Sequence, residues 1–275
     1  MTTPPTSAFV VTVPESEREL ASDVLWALGV AAIEERTAEE GFVELWTSIG
    51  DDRASVTREA DAFPARWRWR LVEVDADIAE SWRRHATVTW ADRNLAIVPA
   101  WLDADVAAGA LRVDIDPGAA FGLGDHPTTM LSARLLRATW WPGATVLDVG
   151  SGSGVLAVLA ARLGAPYVRA IDISPAAFEA TKANARRNGV EAIVEASTVP
   201  LTEIADTFDV VVANLQAPVI VELAKDLRRV TPPSGALIVS GILANAHDHV
   251  LSALAPLRPV ETVVKDNWAA VLLRW

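Results

Sequence analysis

Val146–Gly154 reads VLDVGSGSG, and Asp172 follows 22 residues after Gly150. The apolar run Val146–Val149, interrupted only by Asp148, predicts a buried strand. Gly150, Gly152 and Gly154 then give the tight turn into an apolar helix, Val155–Leu163. Without a Cβ, such a turn lets the backbone come close to a bound small molecule. Asp172 closes a second apolar run, Tyr167–Ile171, where a carboxylate can take both hydroxyls of a ribose. Together these features imply a nucleotide-like ligand at the carboxyl edge of a parallel sheet. Taken alone, the loop also admits a plainer reading, a glycine-rich turn that holds nothing.

The dinucleotide fingerprint is G-x-G-x-x-G, which aims a helix amino end at a pyrophosphate. Here the spacing is G-x-G-x-G, preceded by Asp148. An acid beside the loop is awkward for a pyrophosphate and suits the amino group of a methionine moiety. The pattern resembles the first motif of S-adenosylmethionine (SAM) methyltransferases, with Gly150, Gly152, Asp148 and Asp172 as cofactor-binding candidates.

At 275 residues the chain exceeds the roughly 150 of a typical single domain, so two domains are expected. No apolar run reaches the roughly 20 residues that span a bilayer, and the amino terminus lacks a basic-then-apolar leader. The absence of cysteine excludes disulfides, thiolate metal sites and thiol nucleophiles, and fits a cytoplasmic setting. The formal charge is −12, with a pI near 4.8. No basic stripe is visible, so direct nucleic-acid binding is not expected, and an acidic surface suits a basic partner. Simple solubilisation explains the same charge.

Along the chain, Phe9–Val13 reads as a strand and Glu15–Leu28 as a helix with Leu20, Val24, Leu25 and Leu28 on one face. Val30–Glu35 and Phe42–Thr47 follow as strands around a turn at Glu39–Gly41. Asp51–Ala62 suits a second helix, and Trp67–Val74 a strand with its tryptophans two apart. That β-α-β-β-α-β order is ferredoxin-like. The expected organisation is a small α+β domain over 1–75, a helical linker over 76–88 containing Trp82, and an α/β domain over 89–275. In the last, strands at Ile97–Trp101 and Leu111–Ile115 precede the breaker-rich loop Asp116–Thr129 and a helix, Met130–Thr139. Repeated βα units then predict a doubly wound, Rossmann-like sheet with ligands at the carboxyl ends of its strands.

Asn214 ends the apolar strand DVVVA (Asp209–Ala213), which places its amide beside the glycine loop. There it can hold a methionine moiety, orient an incoming amine, or simply form a turn. The loop DPGAAFGLGDHPTT (Asp116–Thr129) offers Phe121, Gly122, Gly124 and the hydroxyls of Thr128 and Thr129. With VLDVGSGSG, AIDISPAAFEATKANARRNGV, DVVVANLQA and SGIL (Ser240–Leu243), it closely resembles the PrmA family, methyltransferases of the eleventh large-subunit ribosomal protein. The resemblance is specific from about Ile97 to Leu243 and rests on architecture before that. It implies cofactor contacts at Thr129, Gly150, Asp172 and Asn214, with Phe121 counted beside them and Asn214 as the catalytic residue. It further implies SAM as cofactor, no metal, a ribosomal-protein substrate gripped by the amino-terminal domain, and a monomer. Asp125 stands where the family usually has Thr, and Gln216 where an apolar residue follows the asparagine. The segment TVTWADRNLA, before Ile97, lacks the usual lysine and proline. These departures bear on the substrate more than on SAM.

Methyl transfer to an amine requires the neutral base. Near pH 7 that costs roughly 4–5 kcal/mol for a lysine and about 1 kcal/mol for an α-amino group. Desolvation beside a cationic sulfonium lowers either pKa. Asn214 and nearby carbonyls are the candidate acceptors for the amine, with water removing the proton. His126 invites a role as base, although a structural role fits its loop position better. His247 and His249 face apart and make a poor metal pair. Trp101, Trp140 and Trp141 are candidates to line the ligand channel. Three other readings remain: a lysine methyltransferase of another target such as the electron-transfer flavoprotein β subunit, a non-catalytic SAM-binding protein, and an NAD-dependent dehydrogenase, whose loop is absent.

Overall fold

The computed structural model describes residues 6–27, 33–48, 57–58, 60, 63–74, 86–118, 120 and 122–275. The chain divides into two compact units, Met1–Ala86 and Thr87–Trp275.

The first unit is a four-stranded antiparallel sheet of β1 (Thr6–Pro14), β2 (Glu34–Thr37), β3 (Phe42–Ser48) and β4 (Arg68–Val74), in the order β2-β3-β1-β4. A short 3-10 turn at Glu15–Glu17 leads into α1 (Arg18–Ala27). Phe9, Val11, Val13, Val43 and Leu45 pack with Ala21 and Leu25 of that helix and with Trp67. Leu20, expected on the buried face, is 53 % exposed. One residue is a 100° rotation on a helix, so the stripe through Ala21 and Leu25 leaves Leu20 outside. The second strand is described over Glu34–Thr37, and residues 30–32 of the expected Val30–Glu35 strand lie outside the described residues. The expected helix over 51–62 falls outside the described residues except at 57–58 and 60; the expected linker, with Trp82, lies outside them except at 86–88, which are not helical. Arginines on this unit meet its own acids, Arg66 with Glu17 at 2.6 Å and Arg70 with Glu44 at 2.9 Å. Those bonds hold both carboxyls below the usual glutamate range.

The second unit carries a small sheet of β5 (Thr89–Asp92), β6 (Leu95–Pro99) and β7 (Leu111–Ile115) and a seven-stranded one. The large sheet runs β10-β9-β8-β11-β12-β14-β13, from β8 (Val146–Val149), β9 (Val168–Ile171), β10 (Val194–Ser197), β11 (Val210–Asn214), β12 (Ala236–Leu243), β13 (Arg258–Lys265) and β14 (Trp268–Arg274). The first five are mutually parallel, and β14 inserts antiparallel between β12 and β13. Alternation along each strand separates two cores. Val146, Val210, Val212 and Ile238 pack with α2 (Pro127–Thr139), α3 (Val155–Leu163) and the small sheet. Leu147, Val149, Val211, Ala213 and Val239 pack with α5 (Ala217–Val230) and α6 (Asp248–Ala253). Strands β8, β9 and β11 are almost wholly buried because both faces are covered. Order proceeds outward from β8 in one direction and from β11 in the other. The gap between their carboxyl ends is therefore the crevice where such sheets bind ligands.

Helix α2 starts at Pro127, three residues before the expected Met130, because His126 caps it and proline suits the first helical position. It ends at Thr139, roughly 20 Å away at 1.5 Å per residue. Trp140 there lies against Gly164, the carboxyl cap of α3. Trp140 and Trp141 thus sit at the far end of the helix from the crevice and do not line it.

Candidate active site

Gly150, Gly152 and Gly154 all take positive φ, at 73°, 53° and 79°. This left-handed sequence, which side chains resist, folds the loop back onto β9. Gly150 and Ser151 both donate their N–H to the Ile171 carbonyl, at 2.8 and 3.1 Å. A Cβ on Gly154 would stand 2.8 Å from Thr181 Oγ1 and 3.0 Å from Thr181 Cα, so only glycine lets α3 start against α4 (Pro175–Arg187). The result is an arc of bare backbone at the tip of β8.

Asp172 stands at the tip of β9, half-buried. One oxygen accepts the Gly152 N–H and the other the Ser174 N–H, both at 2.9 Å. A carboxylate oxygen has two lone pairs, so each can still take a hydroxyl. Asp148 lies beneath the arc, 1 % exposed, and accepts the Ala157 N–H at 3.0 Å. Burial pushes its carboxyl up to about 7, and the nearby Asp172 charge adds to the effect.

The third corner is the tip of β11. Asn214 Nδ2 donates to Thr129 Oγ1 at 3.4 Å, uniting two residues 85 apart in sequence. Thr129 is 2 % exposed in the first turn of α2, while Asn214 is only partly covered. Leu215, with no signal in its sequence context to single it out, fixes this corner. Its side chain abuts Gly150, and its carbonyl would lie 2.2 Å from a Cβ on Gly241. Its N–H donates to Ser240 at 3.0 Å.

His126 Nδ1 accepts the Thr128 N–H at 3.3 Å and lies 2.8 Å from Thr128 Oγ1, while its ring meets Trp268 edge-on at 5.2 Å. Burial lowers its pKa, with Asp125 opposing. That nitrogen is engaged in capping α2. Phe121 lies outside the described residues. Gly122 and Gly124, its neighbours in the loop, approach Ser153 and Ile97 closely, and the Gly122 carbonyl accepts Ser153 Oγ. Among the described residues, no three His, Asp or Glu side chains gather as a metal site, and no helix is long and apolar enough to cross a membrane.

The fit to an adenosyl-amino-acid is chemical. The glycine arc presents backbone at the tip of β8, with Leu215 packed so tightly behind Gly150 that a Cβ there would stand 2.3 Å from it; the Asp172 oxygens keep capacity for a vicinal diol, and Asn214 offers an amide at the neighbouring strand tip. Sheet order and site together define the Rossmann-like, SAM-dependent methyltransferase class. Within that class, the family model for ribosomal protein L11 methyltransferase (PrmA) matches residues 9–274, and the chain belongs to that family. A curated relative from Symbiobacterium thermophilum, named ribosomal protein L11 methyltransferase, is 43 % identical over 237 residues, covering 85 % of this chain and 76 % of its own. One from Dictyoglomus thermophilum is 38 % identical over 74 % of this chain and 67 % of its own. The crystal structure of a ribosomal protein L11 methylase from Lactobacillus delbrueckii subsp. bulgaricus matches with a TM-score of 0.64 at 32 % identity, over 68 % of this chain and 98 % of that one. The protein is accordingly a SAM-dependent protein methyltransferase.

Proposed function

We propose that this enzyme methylates amino groups of ribosomal protein L11, with residues 89–275 as the catalytic domain, 1–75 as the substrate-recognition domain and 76–88 as the linker. The names of its relatives support that substrate. Charge supports the recognition role, since residues 1–86 hold 17 acids against 9 arginines and no lysine. Two-thirds of the formal charge of −12 therefore lies in that unit, which suits a basic protein. The cytoplasm, where ribosomes are made, is the expected location, and a monomer the expected state, with neither nucleic acid nor membrane bound directly.

In this reading Gly150 and Gly152 line the cofactor with bare backbone, and Asp172 accepts its ribose hydroxyls. Asp148 faces the methionine amino group from beneath, and Phe121 joins this set on the sequence resemblance alone. When bound, SAM supplies an electrophilic methyl group primed for in-line displacement. Asn214 does the orienting. Its Nδ2 is occupied by Thr129, which leaves Oδ1 to accept a hydrogen bond from the neutral amine. Positioning of this kind removes several kcal/mol from a bimolecular barrier. The observation that carries the proposal is the Asn214–Thr129 pair, next to the glycine arc on adjacent strands β11 and β8.

The test is incubation with methyl-labelled SAM and ribosomal protein L11 of the same host, read by intact-mass spectrometry. L11 should gain whole methyl groups on lysine or amino-terminal nitrogen. Labelling of the electron-transfer flavoprotein β subunit in place of L11 would reassign the substrate. SAM binding with no methylation of any protein would make it a non-catalytic binder.

A further inference from the structure

Helix α4 carries Asn184, Asn188 caps its end one turn on, and both side chains reach across to the backbone at the end of β7. Asn188 takes the Asp114 N–H on Oδ1 at 2.9 Å and returns Nδ2 to the Asp114 carbonyl at 2.7 Å. Asn184 treats Asp116 the same way, at 3.0 and 2.9 Å. The two amides thus complete the open edge of β7 and its continuation, as a further strand would. Beyond that, Asn188 Nδ2 only returns to its own helix, at the Asn184 carbonyl, whereas Asn184 reaches a second loop. Asn184 is fully buried, and its Nδ2 also donates to the Ser153 carbonyl inside the glycine loop, at 2.8 Å. Ser153, equally buried, sends its hydroxyl to the Gly122 carbonyl. The chain leaving β7 is therefore tied to one residue of the glycine loop at two points, Asp116 through Asn184 and Gly122 directly.

We propose that Asn184 is a positioning residue for cofactor binding: by clasping Asp116 and Ser153 together it sets the glycine arc against the loop that follows β7. The inference rests on the proposed cofactor cradle. Asn184 itself is fully buried, and Ser153, the residue of the arc that it holds, is buried with it. Two carbonyls converge on its NH2, a demand that a carboxylate of the same shape cannot meet. In Asn184→Asp, Arg187 keeps one oxygen paired, as it does now with Oδ1. The other oxygen faces the Ser153 and Asp116 carbonyls, with the Asp116 carboxylate close by on Arg187 at 3.9 Å. The two loops must part.

The test compares Asn184→Asp with Asn188→Asp, the outer amide that holds only β7 and its own helix. Calorimetry with S-adenosylhomocysteine and initial rates at varied SAM are the readouts. Asn184→Asp should weaken the nucleoside about tenfold or more and raise KM for SAM in step, with kcat at saturating SAM within twofold. Asn188→Asp should lose thermal stability and keep wild-type affinity. Should Asn184→Asp fail to fold, Ser153→Ala removes the second tie with little bulk change and should weaken binding several-fold. Wild-type affinity in a folded Asn184→Asp or in Ser153→Ala, or an equal loss in Asn188→Asp, would overturn the proposal and leave the cradle standing. A wild-type protein that binds no S-adenosylhomocysteine would overturn both.

Discussion

Replacing Asp172 by Asn and by Ala separates what this carboxylate does for the loop from what it does for a ligand. Both oxygens are already engaged, one by the Gly152 N–H and one by the Ser174 N–H, each at 2.9 Å. An asparagine keeps a single acceptor oxygen and turns its NH2 on the other backbone N–H. One donor is left without a partner, at about 1–3 kcal/mol in stability. For a unit of this size that lowers Tm by roughly 3–10 °C. Towards the ribose, hydrogen bonds to a charged acceptor are worth about 1.5–3 kcal/mol and about half that to a neutral one. At 1.4 kcal/mol per factor of ten, Asp172→Ala should weaken S-adenosylhomocysteine roughly 10- to 150-fold. Asp172→Asn should fall between it and the wild type. Calorimetry on folded protein reads the affinity, and a thermal melt of the same sample reads the stability. A Kd for Asp172→Ala within threefold of wild type would refute the ribose assignment. An unchanged melt for Asp172→Asn would refute the loop geometry.

Further perturbations probe the other parts of the site. Gly154→Ala meets a left-handed backbone and the Thr181 backbone at 3.0 Å, so a loss of about 2–4 kcal/mol is expected; an unchanged denaturant midpoint would contradict the packing. Asp148 titrates higher in the folded chain, near 7, than when unfolded, so the native state holds an extra proton between about pH 4 and 7 and loses stability as pH rises through that window. Asp148→Asn keeps an acceptor for the Ala157 N–H and should flatten this part of the Tm-against-pH curve; an unaltered slope would sink the assignment. Asn214→Ala should lower turnover at saturating SAM about 10- to 100-fold, and full turnover would remove Asn214 from the reaction. If the acidic unit attracts L11, KM for that protein should rise between low and moderate salt while KM for SAM stays level; a salt-independent KM would leave the charge merely solubilising.

Much of the geometry at the tips of β8 and β9 is legible in the sequence because its signals are local. The strand–glycine–helix unit at β8 and α3 matched its expected limits closely, since apolar runs and glycines with positive φ are written in consecutive residues. Asn214 and Thr129 were each visible as motif ends, and only the fold shows that they touch. What escaped depends on distant partners. Asn188 reads as a helix terminator, yet its side chain serves Asp114, 74 residues earlier. Leu215 looks like one more apolar residue, and its role emerges only when Gly150 and Gly241 close on it. Helix α2 starts earlier than its sequence suggests, because proline and histidine read as breakers until His126 is seen to cap. Trp140 and Trp141 were near the crevice in sequence and a whole helix away in space.

The most direct measurement is a crystal structure of the protein with S-adenosylhomocysteine. The account predicts density along the Gly150–Gly154 arc, with both ribose hydroxyls within hydrogen-bond distance of Asp172 and the amino-acid end reaching towards Asn214. A ribose held by any other carboxylate, or density away from the tips of β8 and β9, would contradict it.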